Sequence, residues 1–174
     1  MPDDDPSPGG RELDLLRSTV GPAPLVVFDK LLTVVSATEL AGRVYSAFRV
    51  GRNLARFTFL EGDVHPDLPD WSRKTLQVAA MLRACSAGME HDPGFVGLVG
   101  ELSSLSRDFA NAWAAEAVER RSDVFEFRSS DYGALRLRYH LLRAPRRGAD
   151  TLAIWHAADA ASLLGLRAID GPRR

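Results

Sequence analysis

VFEFRSSDYGALRLRYHLL, residues Val124–Leu142, is the stretch that decides the fold. Phe125 and Phe127 alternate with Glu126 and Arg128. Leu135, Leu137, Tyr139 and Leu141 alternate with Arg136, Arg138 and His140. A period of two marks strands with one buried face. Ser129 to Gly133, SSDYG, reads as the turn between them, so the pair forms a hairpin. Downstream, Arg147–Asp150 makes a second turn into a strand at Thr151–Ala157, followed by a helix over Ala160–Ala168.

Upstream of Arg121 the spacing is helical. Ser106 is placed to cap a helix presenting Phe109, Ala110 and Trp113, and residues 94–104 form another with Phe95, Leu98, Val99 and Leu102 on one side. Asp70 or Ser72 caps a long helix reaching Met89, with Leu76, Val78, Met81, Leu82 and Cys85 along its apolar stripe. Gly62 through Pro69 is a loop, and Asn53 caps a short helix over Leu54–Leu60. Glu39–Phe48 has helical spacing, and Glu12–Leu16 begins a short helix ended by Gly21-Pro22. Between those last two, PLVVFDKLLTVVSAT reads as a hairpin of strands Leu25–Phe28 and Leu32–Val35 meeting at Asp29-Lys30. Two strands, a helical middle and three antiparallel strands predict an α+β domain. Residues 1–11 read as a disordered tail, 12–169 as one domain and 170–174 as a C-terminal tail.

Composition narrows the function. The chain has 174 residues, 45% of them hydrophobic, enough for one domain with a real core. Basic residues number 22 against 23 acidic, a formal net charge of −1, without the basic surplus that phosphate neutralisation requires. Arg120-Arg121, Arg136/Arg138 and Arg143/Arg146/Arg147 have acidic neighbours and read as a solvated face. Only Lys30 and Lys74 are lysines, an arginine bias that points to a high-GC bacterial genome. The acidic, Pro/Gly-rich start is unlike a signal peptide, and no apolar run approaches the ~20 residues of a membrane span, so a cytoplasmic location is expected.

Four segments carry a family resemblance through their joint order and spacing. They are Asn53–Trp71 (NLARFTFLEGDVHPDLPDW), Asp108–Val118 (DFANAWAAEAV), Phe125–Ala144 and Thr151–Asp159 (TLAIWHAAD). Together they resemble the ligand-binding domain of MmyB-like transcription regulators, a PAS-like sensor, over roughly Pro24 to Ala168. The resemblance implies a PAS-like fold, a five-stranded antiparallel sheet covered by a central group of helices. It also implies a cavity for a small apolar or fatty-acid-like ligand, with Phe57, Leu82, Phe109, Trp113, Phe127, Tyr139 and Trp155 as candidate lining. For each of the seven an ordinary core role is the commoner one, since apolar residues at regular spacing usually pack a core. Where the family tends to carry Trp-Asn after its second strand this chain has Ala37-Thr38, so an aromatic at one end of the cavity is missing. Family members usually carry a helix-turn-helix domain in front, and about two dozen residues are too few for one. The expectation is a sensor that does not bind DNA by itself and signals as a homodimer or through a partner.

Anchoring groups are less defined. If Leu152 and Ile154 face inward, His156 shares their face and can hold a carboxylate; if Trp155 faces inward, His156 is solvated. Arg56 and Arg83 are other carboxylate partners or surface residues. The four histidines show no zinc spacing, His65 beside Asp63 and Asp67 being the nearest approach, and no cofactor is expected. There is no Gly-x-Ser-x-Gly, and Cys85, the sole cysteine, lies on an apolar stripe, so no catalytic residue is assigned. The remaining alternative is a ligand-free interaction module that uses the same surfaces to dimerise.

Overall fold

The computed structural model describes residues 23–61, 70–129, 132–143 and 150–171. The terminal tails up to residue 22 and from 172, the Glu12–Leu16 helix, the loop over 62–69 and the turn at 147–149 lie outside the described residues.

The first hairpin pairs β1 (Leu25–Phe28) with β2 (Val34–Ala37). β2 starts two residues later than the apolar run predicts, because the turn consumes Leu32. Asp29 Oδ1 accepts hydrogen bonds from the Leu31 and Thr33 N–H groups at 2.9 and 2.7 Å, which curls the chain back on itself. Leu32 adopts φ 64° there while its side chain is fully buried.

Helix α1 (Glu39–Val44) is capped by Thr38, whose Oγ1 also accepts from the Leu25 N–H at 3.0 Å. The expected single helix to Phe48 breaks at Tyr45, which is extended (φ −150°, ψ 122°), and a 3-10 turn covers Ser46–Phe48. The break sets the Tyr45 ring 5.2 Å from Phe48, 5.4 Å from Phe57 and 5.2 Å from Phe127. An aromatic contact across the core outweighs continuation of a short helix.

Helix α2 (Leu54–Leu60) has Asn53 as cap: Oδ1 accepts from the Arg56 N–H at 3.0 Å, while Nδ2 donates to the Leu31 carbonyl at 2.7 Å. Asn53 thus ties the helix start to the β1–β2 turn. Asn53→Ala is expected to remove both, lowering stability by about 2–3 kcal/mol and the melting temperature by roughly 5–10 °C. Asn53→Asp keeps the cap oxygen and falls by about half as much. Thermal melts check this; equal losses in the two variants refute the contribution of the cap.

The long helix α3 (Trp71–Cys85) stops four residues short of the expected Met89. Ser86 Oγ donates to the Leu82 carbonyl at 2.6 Å, and Gly88 takes φ 83°. At its start Asp70 is left-handed (φ 68°) and makes no capping bond; its carboxylate pairs with Arg73 at 2.8 Å. Helices α4 (Pro93–Leu105) and α5 (Arg107–Ala114) follow, capped by Asp92 and Ser106. The chain then forms β3 (Ser122–Ser129), β4 (Gly133–Arg143), β5 (Thr151–Ala157) and α6 (Ala160–Asp170), the last running two residues beyond Ala168.

All strand pairs are antiparallel in the order β2-β1-β5-β4-β3. Leu25 opposes Ile154 and Phe28 opposes Thr151, so the first and last strands meet in the middle and β3 forms an edge. The α+β class and the five-stranded antiparallel sheet under helices are as the sequence predicts. One main core lies between sheet and helices, including Phe28, Leu82, Leu102, Phe109, Leu137 and Leu166. A smaller cluster on the opposite face joins Ala23 and Leu25 to Val27, Leu152 and Ile154. No helix among the described residues is long and apolar enough to cross a membrane.

Candidate ligand cavity

Sheet and helices do not close completely on each other. They leave a cavity of about 570 Å³, inside the range of about 300–1,000 Å³ usual for small-molecule sites. The sheet supplies its floor: Phe28 from β1, Ala153 and Trp155 from β5, Tyr139 and Leu141 from β4, and Phe125 and Phe127 from β3. Strict alternation places these on one face, and their outward neighbours Arg136, Arg138 and His140 are exposed. Helix α3 forms the roof with Trp71, Lys74, Gln77, Val78 and Met81, a spacing of three and four that keeps them on one stripe. Leu54 and Thr58 of α2, with Tyr45 and Phe48, complete the wall.

The wall is a chain of rings. Trp155 is 5.1 Å from Tyr139, 5.2 Å from Phe127 and 5.4 Å from Phe48, and Phe125 stacks on Tyr139 at 5.6 Å. Rings packed against one another, edge to face at Phe127–Trp155 and tilted or stacked elsewhere, do not collapse into the space as a flexible aliphatic lining would. Burial, reinforced by the Glu61 charge, pushes the Tyr45 phenol up to about 12, so it stays neutral.

Most polar groups of the wall are already engaged. Gln77 Nε2 donates to the Arg120 carbonyl at 2.8 Å and its Oε1 accepts from the Arg120 N–H at 3.0 Å. Tyr139 donates to the same carbonyl at 3.1 Å. The buried Trp155 indole N–H has no hydrogen-bond partner among the described residues. Lys74 donates to the Glu126 carbonyl, and its Nζ lies 5.3 Å from the centroid of the Phe127 ring. Burial lowers its pKa, against the opposing pull of Asp70 and Glu126.

Of the eight candidate residues from the sequence, Phe127, Tyr139 and Trp155 lie in the cavity wall. Phe57 stands behind Tyr45, and Leu82 is fully buried in the core. Phe109 and Trp113 stack 5.4 Å apart in a separate cluster, with Phe59 5.0 Å from Phe109. Arg83 covers Trp113 at 4.2 Å, and Arg56 pairs with Glu101 at 2.7 Å, so neither reaches the cavity. His156 does not face it either. Trp155 points inward, which sends His156 to the outer face of the sheet, where its Nε2 lies 3.1 Å from that of His140. Of the two alternation readings, the one with Trp155 inward holds, and Leu152 and Ile154 pack the small outer cluster. Cross-strand pairing also creates the His140–His156 contact that linear spacing concealed. No group of three or more metal-ligating side chains occurs among the described residues.

The roof residues Trp71, Lys74, Gln77 and Met81 were missed. Their signal was present in the continuation of the Val78–Met81 stripe back to Lys74 and Trp71 at helical spacing, and in Lys74 as one of two lysines. At Cys85 burial pushes the thiol up, against the opposing contacts of Thr151 and Arg143 with the sulfur at 3.3 and 3.2 Å.

A preformed, ring-lined hollow between sheet and helices, with a lysine in its wall, defines a small-molecule-binding α+β domain. The model of the MmyB-like transcription regulator ligand binding domain matches residues 11–162. The chain belongs to that family. Among solved structures it is similar to the PAS domain of an HTR-like protein from Haloarcula marismortui, at 19% identity with a TM-score of 0.38. That match covers 86% of this chain and 96% of that one. No curated protein matches.

Proposed function

We propose that this domain senses a small apolar or fatty-acid-like molecule held in the cavity, and does so without catalysing a reaction. The unfilled, ring-lined space of about 570 Å³ carries this reading. It favours a sensor over a ligand-free interaction module, which has no use for a hollow core. Burying ~10 methylenes contributes ~8 kcal/mol, against an association cost of ~4–15 kcal/mol. A preformed wall keeps that cost near its lower end, leaving ~4 kcal/mol from the tail alone, millimolar binding that a head-group contact would tighten. Occupancy would then favour one packing of the helices on the sheet and pass outward through dimerisation or a cytoplasmic partner.

Mass spectrometry of the purified protein and melts with fatty acids of graded length test this. Ligand at 100 times its dissociation constant stabilises by ~2.7 kcal/mol, an upward shift of roughly 5–10 °C. Absence of any bound species, with no shift at any chain length, refutes the sensor.

A further inference from the structure

We propose that Lys74 is the head-group anchor of the cavity and makes it select free acids over neutral molecules of the same length. The inference rests on the cavity being a ligand site. Lys74 stands in the first turn of α3, with Trp71, Glu126 and Arg128 beside it as the more exposed part of the wall. Phe28, Ala153 and Trp155 form the buried end. An amphiphile entering this space places its tail among the rings and its head at Lys74.

Three observations single out this side chain. First, it forms no ion pair among the described residues, although the Asp70 and Glu126 charges act on it. Arg73 pairs with Asp70 at 2.8 Å and with Asp123 at 3.3 Å, and Arg128 approaches Glu126 at 3.8 Å. Lys74 has no carboxylate partner among the described residues; its bond goes to the neutral Glu126 carbonyl. Second, the ammonium is held and partly dehydrated by rings, 5.3 Å from Phe127 and 5.9 Å from Phe125. Its lowered pKa reports the same burial, which an arriving carboxylate would offset. Third, an ammonium has three donors and the Glu126 carbonyl takes one, so two remain for a carboxylate without any rearrangement. Gln77 and Tyr139, by contrast, are committed to the Arg120 backbone.

The test titrates decanoate and methyl decanoate into the wild-type chain, Lys74→Met, Lys74→Arg and Arg138→Gln. Wild type should bind the acid about 10- to 100-fold more tightly than the ester, the range for a hydrogen-bonded charge pair. Lys74→Met should erase that preference by weakening the acid alone, while Lys74→Arg and Arg138→Gln, the latter on the outer face of the sheet, keep it. Equal binding of acid and ester by wild type overturns the assignment even if Lys74→Met fails to fold. So does a preference that survives in a folded Lys74→Met. Binding of neither compound would instead refute the cavity as a ligand site, and this inference with it.

Discussion

Ala153→Phe is expected to abolish ligand binding, by about 100-fold or more, and to leave the protein folded. Ala153 sits in the middle of β5 on the concave face, opposite Val26 and Leu141, and its small side chain forms part of the cavity floor. A phenyl ring there occupies the space a ligand tail would fill. The ring gains apolar burial at ~25 cal/mol per Å² and loses about 1–3 kcal/mol to crowding against Trp155 and Tyr139. The two nearly cancel, so the melting temperature moves little while the binding free energy falls by about 2.7 kcal/mol or more. Decanoate titration beside a thermal melt measures both quantities. An unchanged affinity in a folded variant would place the ligand elsewhere.

Phe109→Ala should do the reverse. Phe109 is fully buried, with Phe59 5.0 Å from its ring and Trp113 stacked at 5.4 Å. Truncating it removes the ring and leaves a void that the α3–α5 packing cannot close. The expected loss is about 3–5 kcal/mol, a fall of roughly 6–20 °C in melting temperature. Because Phe109 is no part of the cavity wall, affinity measured well below the melt should stay within about threefold of wild type. A loss of affinity matching the loss of stability would mean that the cavity extends beneath α5. The pair of variants therefore separates the two aromatic clusters that the sequence presents as one list.

Much of the fold was legible because its signals are local. Alternation from Phe125 to Leu141 marked the β3–β4 hairpin, and Asn53 and Ser106 each cap the helix expected to follow them. The errors have local causes of a different kind. Asp29 forms a side-chain turn that displaces β2, and Ser86 turns its hydroxyl on the Leu82 carbonyl and ends α3 early. At Tyr45 a tertiary contact with Phe127 overrides helical spacing. The cavity wall was only partly legible. Phe127, Tyr139 and Trp155 stand out by type and alternation, but nothing along the chain distinguishes the Phe109 and Trp113 cluster from them.

Spacing, caps and alternation determined the element order and the α+β class, because each is written within a few consecutive turns or strand residues. The family was legible only as a resemblance carried by four segments together. Which aromatics enclose the hollow, which face His156 takes and why Lys74 donates to the Glu126 carbonyl were decided only when β1 paired with β5 and α3 packed over the sheet. Those contacts join residues far apart in the chain. Their geometry follows from how whole surfaces pack, a property no single segment possesses.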